Sequence, residues 1–563
     1  MARPPDPSSL ERPWVAAYPP GVPPTYRLPE VPLTRFLDDA ARDFPDRPAL
    51  ILGGGTVSYA ELRDRVDAVA GVLADLGVGS GERILVALPN ELALPVTLFA
   101  GWRLGAVMVP VAPDTPAEPL ASVVADARPV AVVATREVLH ELVQQRSRPA
   151  IAVQVDGDEW PPSGLLTTLL GLPGRLLGRG QTPTVLSEHP EDGTVLLGEA
   201  LGAQAPPTLP AAPEPDAAAL LLYRPRAREL RGVLASHANL VANAFQARLW
   251  VPDIQAGRER VLVADPLHQP LPLTVGLISA VLSAATIVLL DDPDAATLAR
   301  TVEREKPTLF ATTPLRLAGL LREGEPAKRD LSSLRVCVTG GASLDPQVAA
   351  DIERRTGGAR VREGFGVTEA VPLTHAQPVY GRAVPGSMGL PVTGTVAAVV
   401  DPDDLGSLRP PGVPGRLIVH GPQVVAGYWE RPEATAASFV DGWLITDDLA
   451  TVDDDGLFHH VGRIGEMIDR AGVLVSPRHV EAVLQRHPGV RRAGVVATDE
   501  GQLLAAVVPR RRTRVTPDVV LAHARTHLDA PAVPDHVTLV EELPMSEVGE
   551  LARDELRHEL TGR

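Results

Sequence analysis

The sequence predicts an α/β protein: a large region of helix-covered, mostly parallel sheets followed by a small α+β region. Three observations carry this expectation. Strand and helix signals alternate along the chain, the pattern of βαβ units. Segments such as ERILVALPN (Glu82–Asn90) and VAVVAT (Val130–Thr135) are apolar on successive residues, as strands buried on both faces are. The last stretch, about Ile464–Arg563, repeats the alternation in shorter units, VSPRHVEAVLQRHPGV, RRAGVVATDEGQLLAAVVP and VTPDVVLAHARTHL.

Taken in order, a proline-rich arm opens the chain and leads to a helix over Leu33–Arg42. In TVSYAELRDRVDAVAGVLADLGV (from Thr56), Ser58 and Glu61 make a capping box. Leu62, Val66, Val69, Leu73 and Leu76 then keep helical spacing, and Gly77 closes the helix. A strand, a helix and GWRLGAVMVPVAP (Gly101–Pro113) follow. Residues 157–216 are rich in Pro, Gly and Leu with little periodicity. The expectation there is an insertion carried as a surface loop, with one short helix at Gly164–Leu170; a lid or docking element is the alternative. LLLYRPRARELRGVLASHANLV (Leu220–Val241) reads as a strand ending in Tyr223, an arginine-rich turn, and the opening of a helix. TLFATTPLRLAGLL (Thr308–Leu321) reads as strand, turn and helix, and RVCVTGGASL (Arg335–Leu344) as a strand running into a Gly-Gly turn.

EGFGVTEA (Glu363–Ala370) is the stretch richest in chemistry. It reads as a turn in which Gly364 and Gly366, lacking a Cβ, let backbone approach a flat ligand. Thr368 offers a hydroxyl to a phosphoryl oxygen, and Glu369 a hard carboxylate of the kind that holds Mg²⁺ beside phosphates.

Composition narrows the function classes. The net charge of −17 repels nucleic acid and anionic membranes as bulk partners. The single cysteine, Cys337, excludes an intramolecular disulfide and a multi-cysteine metal site, and its apolar setting reads as structural. LTVGLISAVLSAATIVLL (Leu273–Leu290) lacks charge and only just reaches spanning length. Gly276 and small polar residues break it, so a buried helix and a buried strand fit better than a transmembrane segment. The opening MARPPDPSSLERPW has prolines where a secretory peptide needs an apolar run, so the expected location is cytoplasmic.

These phrases, with PGVPGRLIVHGPQVVAGYWERPEATAASF (Pro411–Phe439) and DGWLITDDLATVDDDGLFHHVGRIGEMIDRAGVLVSPRHVE (Asp441–Glu481), resemble the AMP-forming acyl-CoA synthetases. That superfamily also holds luciferase and peptide-synthetase adenylation domains. The opening ERPWVAAYPPGVPP is similar to the entry segment of fatty-acyl-CoA ligases. The resemblance implies a large domain over residues 1–463 with a β-barrel-like subdomain, a hinge near 463–466, and a small mobile domain over 464–563. It implies an adenine and ribose site at Gly341, Ala342, Gly364, Phe365, Gly366, Asp448 and Arg463, with Thr368 and Glu369 at the α-phosphate and the metal. It further implies an acyl pocket at His268 and a pantetheine channel at Gly472. Expected cofactors are ATP or AMP with Mg²⁺, and CoA or phosphopantetheine as acceptor. Expected partners are a small carboxylic acid or acyl group and, alternatively, a carrier protein.

The chain departs from the family at two places. Where a glycine-rich loop cradles the β- and γ-phosphates, this chain has Arg224, Pro225, Arg226, Ala227, Arg228, Glu229, Leu230 and Arg231. Pro225 has no N–H to give, so the four arginines stand either as a side-chain phosphate site or as a solvated basic turn. In LPMSEVGELARDELRHEL (Leu543–Leu560), Glu550 takes the place of a lysine that bridges the substrate carboxylate and the α-phosphate. At about 4 Å and an effective dielectric near 20, each such interaction is about 4 kcal/mol, so the inversion weighs against adenylation by the usual route. A smaller departure is Asp447, where glycine is usual and crowding of Asp448 is expected. The reading is a diverged acyl-CoA synthetase-like enzyme with impaired or altered adenylation. The alternative is an inactive nucleotide- or acyl-binding scaffold.

Overall fold

A computed structural model describes residues 3–53, 55–155, 193–203, 209–223, 230–470, 472–498, 500–510, 513–546 and 549–562. The helix Tyr59–Asp75 starts as its sequence dictates. The Glu61 N–H donates to Ser58 Oγ at 3.2 Å, and the Ser58 N–H donates back to the Glu61 carboxylate at 2.8 Å. Its apolar stripe packs with the helix Ala93–Arg103, where Phe99 and Trp102 are fully buried and Trp102 Nε1 donates to the Ala219 carbonyl at 2.8 Å.

These helices cover a sheet whose order among the described residues is Gly427–Tyr428, Val233–Ser236, Ala218–Leu222, Val107–Pro110, Arg83–Ala87, Ala131–Ala134, Ile151–Gln154 and Thr194–Leu196. The pairs from Ala218–Leu222 to Thr194–Leu196 are parallel. A second sheet runs Leu390–Pro391, Leu373–Ala376, Arg360–Gly366, Val336–Thr339, Leu309–Thr312, Arg260–Val263, Thr286–Leu289, Pro48–Leu52 and Gly55–Ser58. It is parallel through its middle and antiparallel at both ends. The uninterrupted apolar runs are there because both faces of these strands are covered; Val107–Pro110 and Ala131–Ala134 are buried at every residue. Cys337 sits in this second core, and burial pushes its thiol up to about 12, as a structural cysteine requires.

The barrel-like subdomain is an antiparallel sheet of Val396–Val400, Gly415–His420, Trp443–Val452, Phe439–Val440 and Phe458–Arg463. Beyond it come a hairpin, Ile468–Arg470 with Val473–Val475, and a mixed sheet of Val490–Ala497, Leu503–Pro509 and His536–Leu539 with its own core around Val480, Leu484 and Val495.

Several expectations need correction. Part of the 157–216 stretch is regular structure. Thr194–Leu196 extends the first sheet at its edge, and the helix Leu197–Ala203 sends Leu197 into the core beneath Tyr59–Asp75. A strand of three residues leaves no periodicity to read. The helix expected at Gly164–Leu170 lies outside the described residues. RGVLAS does not open a helix directly: Val233–Ser236 first pairs antiparallel with Ala218–Leu222, and only then does Ser236 cap the helix His237–Trp250. The Leu273–Leu290 run is as expected: helical over Pro272–Ile278 and Ser279–Leu282, then a buried strand at Thr286–Leu289. Among the described residues, no helix is long and apolar enough to cross a membrane.

Candidate functional site

Parallel strands place their carboxyl ends on one edge, and loops leaving that edge make a crevice. Here the ends of Val107–Pro110, Ala218–Leu222, Leu309–Thr312, Val336–Thr339 and Arg360–Gly366 open into one cavity of about 1680 Å³. The structure brings Gly341, Ala342, Gly364, Phe365, Gly366, Thr368, His268, Arg463 and Glu550 together on its wall.

Gly341 has φ of 85°, a left-handed conformation that favours glycine after the strand Val336–Thr339. The glycines of EGFG answer to a different demand from the one expected. Glu363–Gly366 is not a turn but the end of a strand, whose Gly364, Phe365 and Gly366 pair antiparallel with Leu373–Ala376. A Cβ on Gly366 would meet the Pro372 carbonyl oxygen at 1.8 Å, and one on Gly364 would meet Leu373 Cδ1 at 3.2 Å. Close backbone packing, rather than ligand approach, sets the requirement at Gly366. The turn itself is the short 3₁₀ segment Thr368–Ala370.

Glu369 and Asp448 stand beside this wall. The Tyr428 hydroxyl donates to Glu369 Oε1 at 3.0 Å, and the guanidinium of Arg231 lies 5.5 Å from the Tyr428 ring centroid. Arg224, Arg226 and Arg228 lie outside the described residues. Asp448 is buried in the strand Trp443–Val452, 2.9 Å from His460 Nε2 and 3.6 Å from Arg463 Nε. Burial raises its carboxyl, but His460, Arg463 and Arg478 outweigh that and hold it below the ordinary carboxylate value. Asp447 does not crowd it. Alternation along the strand turns Asp447 to solvent, 3.3 Å from Arg416, while Asp448 faces inward.

His268 is half-buried beside Pro270, Leu271 and Pro272, and desolvation lowers it to about 4, a neutral imidazole on this wall. Glu363 lines the same cavity, and burial pushes its carboxyl up to about 7 against one opposing hydrogen bond from the Leu344 N–H. Gly472, φ 84°, turns the hairpin whose Val473 and Leu474 line the cavity, and its N–H donates to Asp469 Oδ1 at 2.7 Å. Among the described residues no group of three or more His, Cys, Asp or Glu could hold a metal by itself. Glu369 with the Thr368 hydroxyl fits one Mg²⁺ only if nucleotide oxygens and water complete the shell.

Glu550 reaches this wall from the far end of the chain. Gly549 rests against Leu315, whose Cβ would lie 3.3 Å from a Cβ there. A file of alternating charge then runs through Glu550. Arg478 Nη2 donates to Glu550 Oε1 at 3.1 Å, and Arg463 Nη2 stands 3.8 Å from the same oxygen. On the other side Arg478 Nε and Arg553 Nε face Glu466 at 3.7 and 3.6 Å, and Arg553 pairs with Glu481 at 2.5 Å. Sequence reading missed His460 and Arg478. His460 follows from strand register, since Asp448 pairs with Arg463 and Ala450 with His460. Nothing local marks Arg478, whose partner lies 72 residues away.

Comparison with known proteins gives consistent matches. Residues 37–429 match the family described as AMP-binding enzyme, and residues 479–550 its C-terminal domain. The chain is 31% identical to a long-chain-fatty-acid–CoA ligase of Bacillus subtilis, over 98% of each protein. It is 31% identical to a feruloyl-CoA synthase of an Amycolatopsis species, covering 92% of this chain and 96% of that one. Among solved structures, an anthranilate CoA ligase with anthranoyl-AMP superposes with a TM-score of 0.80 at 22% identity, covering 95% of this chain and 98% of that one. ATP-bound MatB from Rhodopseudomonas palustris gives 0.79 at 24% identity, covering 94% and 98%. Both superpositions speak to the fold.

Proposed function

The chain belongs to the AMP-binding enzyme family, and from that premise we propose that it is an acyl-CoA synthetase-like ligase with an altered adenylation step. In the first half-reaction a carboxylate oxygen attacks the α-phosphorus of ATP, forming an acyl-adenylate and releasing pyrophosphate. In the second, a thiol of CoA, or of a carrier protein's phosphopantetheine, attacks the acyl carbonyl and AMP leaves. Asp448 accepts from the ribose hydroxyls, a task suited to a buried carboxylate kept ionised by His460 and Arg463. Arg463 meets the ribose beside it. Gly341, Ala342 and Phe365 hold the adenine. The Thr368 hydroxyl bonds the α-phosphate, and Glu369 would hold a nucleotide-bound Mg²⁺, which would neutralise phosphate charge. For the outer phosphates the proposed donors are the guanidinium groups of the Arg224, Arg226, Arg228 and Arg231 segment, since guanidinium suits phosphate geometry.

The single observation that carries the reading is the convergence of Gly341, Thr368, Arg463 and Glu550 on one cavity. An aliphatic or other acyl group is the proposed substrate, because neutral His268 and the apolar Leu271, Pro272 and Leu373 line the same space. Residues 464–563 act as a small domain turning about 463–466, with Gly472 on the thiol's path, and the protein works in the cytoplasm.

The test is acid-dependent pyrophosphate exchange across short, long-chain and aromatic acids, with thioester formation read separately. Exchange and thioester with an aliphatic acid are expected. If neither exchange nor binding of a nonhydrolysable acyl-adenylate mimic occurs, the ligase reading fails and an inactive scaffold takes its place.

A further inference from the structure

We propose that Arg478 supplies the cation missing at position 550, its guanidinium binding the phosphoryl anion in the cavity while Glu550 positions it. This rests on the nucleotide reading above. Arg478 and Glu550 line the same cavity as Gly341 and Thr368. Arg478 Nη2 is one hydrogen bond, 3.1 Å, from the Glu550 carboxylate, so positive charge stands within reach of the place where the family carries lysine.

The pair is a charge swap rather than a loss. A lysine at 550 would repel Arg478 at this distance, whereas glutamate holds it. The hold is firm on the backbone side. Arg478 lies in the first turn of Pro477–Gln485, and the cap of that helix, Ser476, donates from Oγ to the Val461 carbonyl at 2.6 Å. The hold is loose at the inner end: Arg478 Nε and Glu466 Oε2 are buried without a hydrogen-bond partner and stand 3.7 Å apart. Glu550 takes one edge of a guanidinium that carries five donors, and an oxyanion suits the rest. The neighbouring Arg463 is committed between Asp448 and Glu550. The field of Arg478 already reaches the ribose end of the cavity, where it helps to depress the Asp448 carboxyl.

The test is calorimetric binding of AMP and of adenosine to the full chain and to R478A, R478Q and R478A/E550K. Loss of one charge-assisted contact predicts AMP binding weakened about 10- to 100-fold in R478A and R478Q, with adenosine unchanged. In R478A/E550K the lysine returns the charge and AMP affinity recovers. Unchanged AMP affinity in R478A or R478Q overturns the proposal and leaves the ligase reading standing. Parallel loss of AMP and adenosine also overturns it, because that marks a merely structural arginine. Failure of the parent chain to bind either ligand overturns the nucleotide reading and this proposal with it.

Discussion

Single residues at the cavity make opposite demands on the proton. Glu363 is raised to about 7 from an ordinary value of 4.5, so between those limits the folded protein holds more protons than the unfolded chain. Stability therefore falls as pH rises through about 4.5 to 7, and the full cost is present above that window. Glu363→Gln should stabilise the protein by about 1–3 kcal/mol at pH 8 and leave it nearly unchanged at pH 4, read by denaturant unfolding at both. Asp448 sits on the other side of the balance, with its charge favoured by His460 and Arg463. With Asp448 as the proposed ribose acceptor, Asp448→Asn should weaken AMP and adenosine together by about 10- to 100-fold. The sequence indicated Asp448 by motif. It could not indicate Glu363's protonation, which depends on what the strand Arg360–Gly366 is packed against.

At the scale of elements, local chemistry and packing decide different things. The capping box at Ser58 is a local device, legible as such, and Ser58→Ala should cost about 1 kcal/mol in thermal unfolding. Gly366 is a packing device. A side chain there meets the Pro372 carbonyl at 1.8 Å, so Gly366→Ala must push the strand end away from Leu373–Ala376. The expected outcome is loss of several kcal/mol or an insoluble protein, with nucleotide binding lost in whatever folds. A glycine that is silent for folding but damaging for AMP binding would return Gly366 to the ligand-approach role. The strands Thr194–Leu196 and Val233–Ser236 were illegible for a common reason. Each is short, and each is fixed by a partner strand rather than by its own pattern.

Across the whole molecule, charge links the small C-terminal region to the large one. The file from Glu481 through Arg553, Glu466, Arg478 and Glu550 to Arg463 and Asp448 runs from the helices Pro477–Gln485 and Arg553–Thr561 to the strand Trp443–Val452. Arg553→Ala leaves Glu481, buried and already raised by desolvation, with the Val495 N–H and the more distant charge of Arg478 to answer it. The expected cost is about 3–5 kcal/mol, concentrated in the C-terminal region and visible as faster hydrogen exchange over Val490–Ala497. The same variant should also loosen Arg478, so AMP binding should weaken modestly without a change in adenosine binding.

By itself, the sequence determined the layer plan, the helix caps and the order of the motifs, because hydrophobic period and capping residues act within a few positions of one another. It also determined that position 550 is acidic. Only the tertiary structure decided what that acid does. Glu550 meets Arg478 and Arg463 across long stretches of chain, and Coulomb pairing depends on distance in space, which neighbouring residues along the chain do not record.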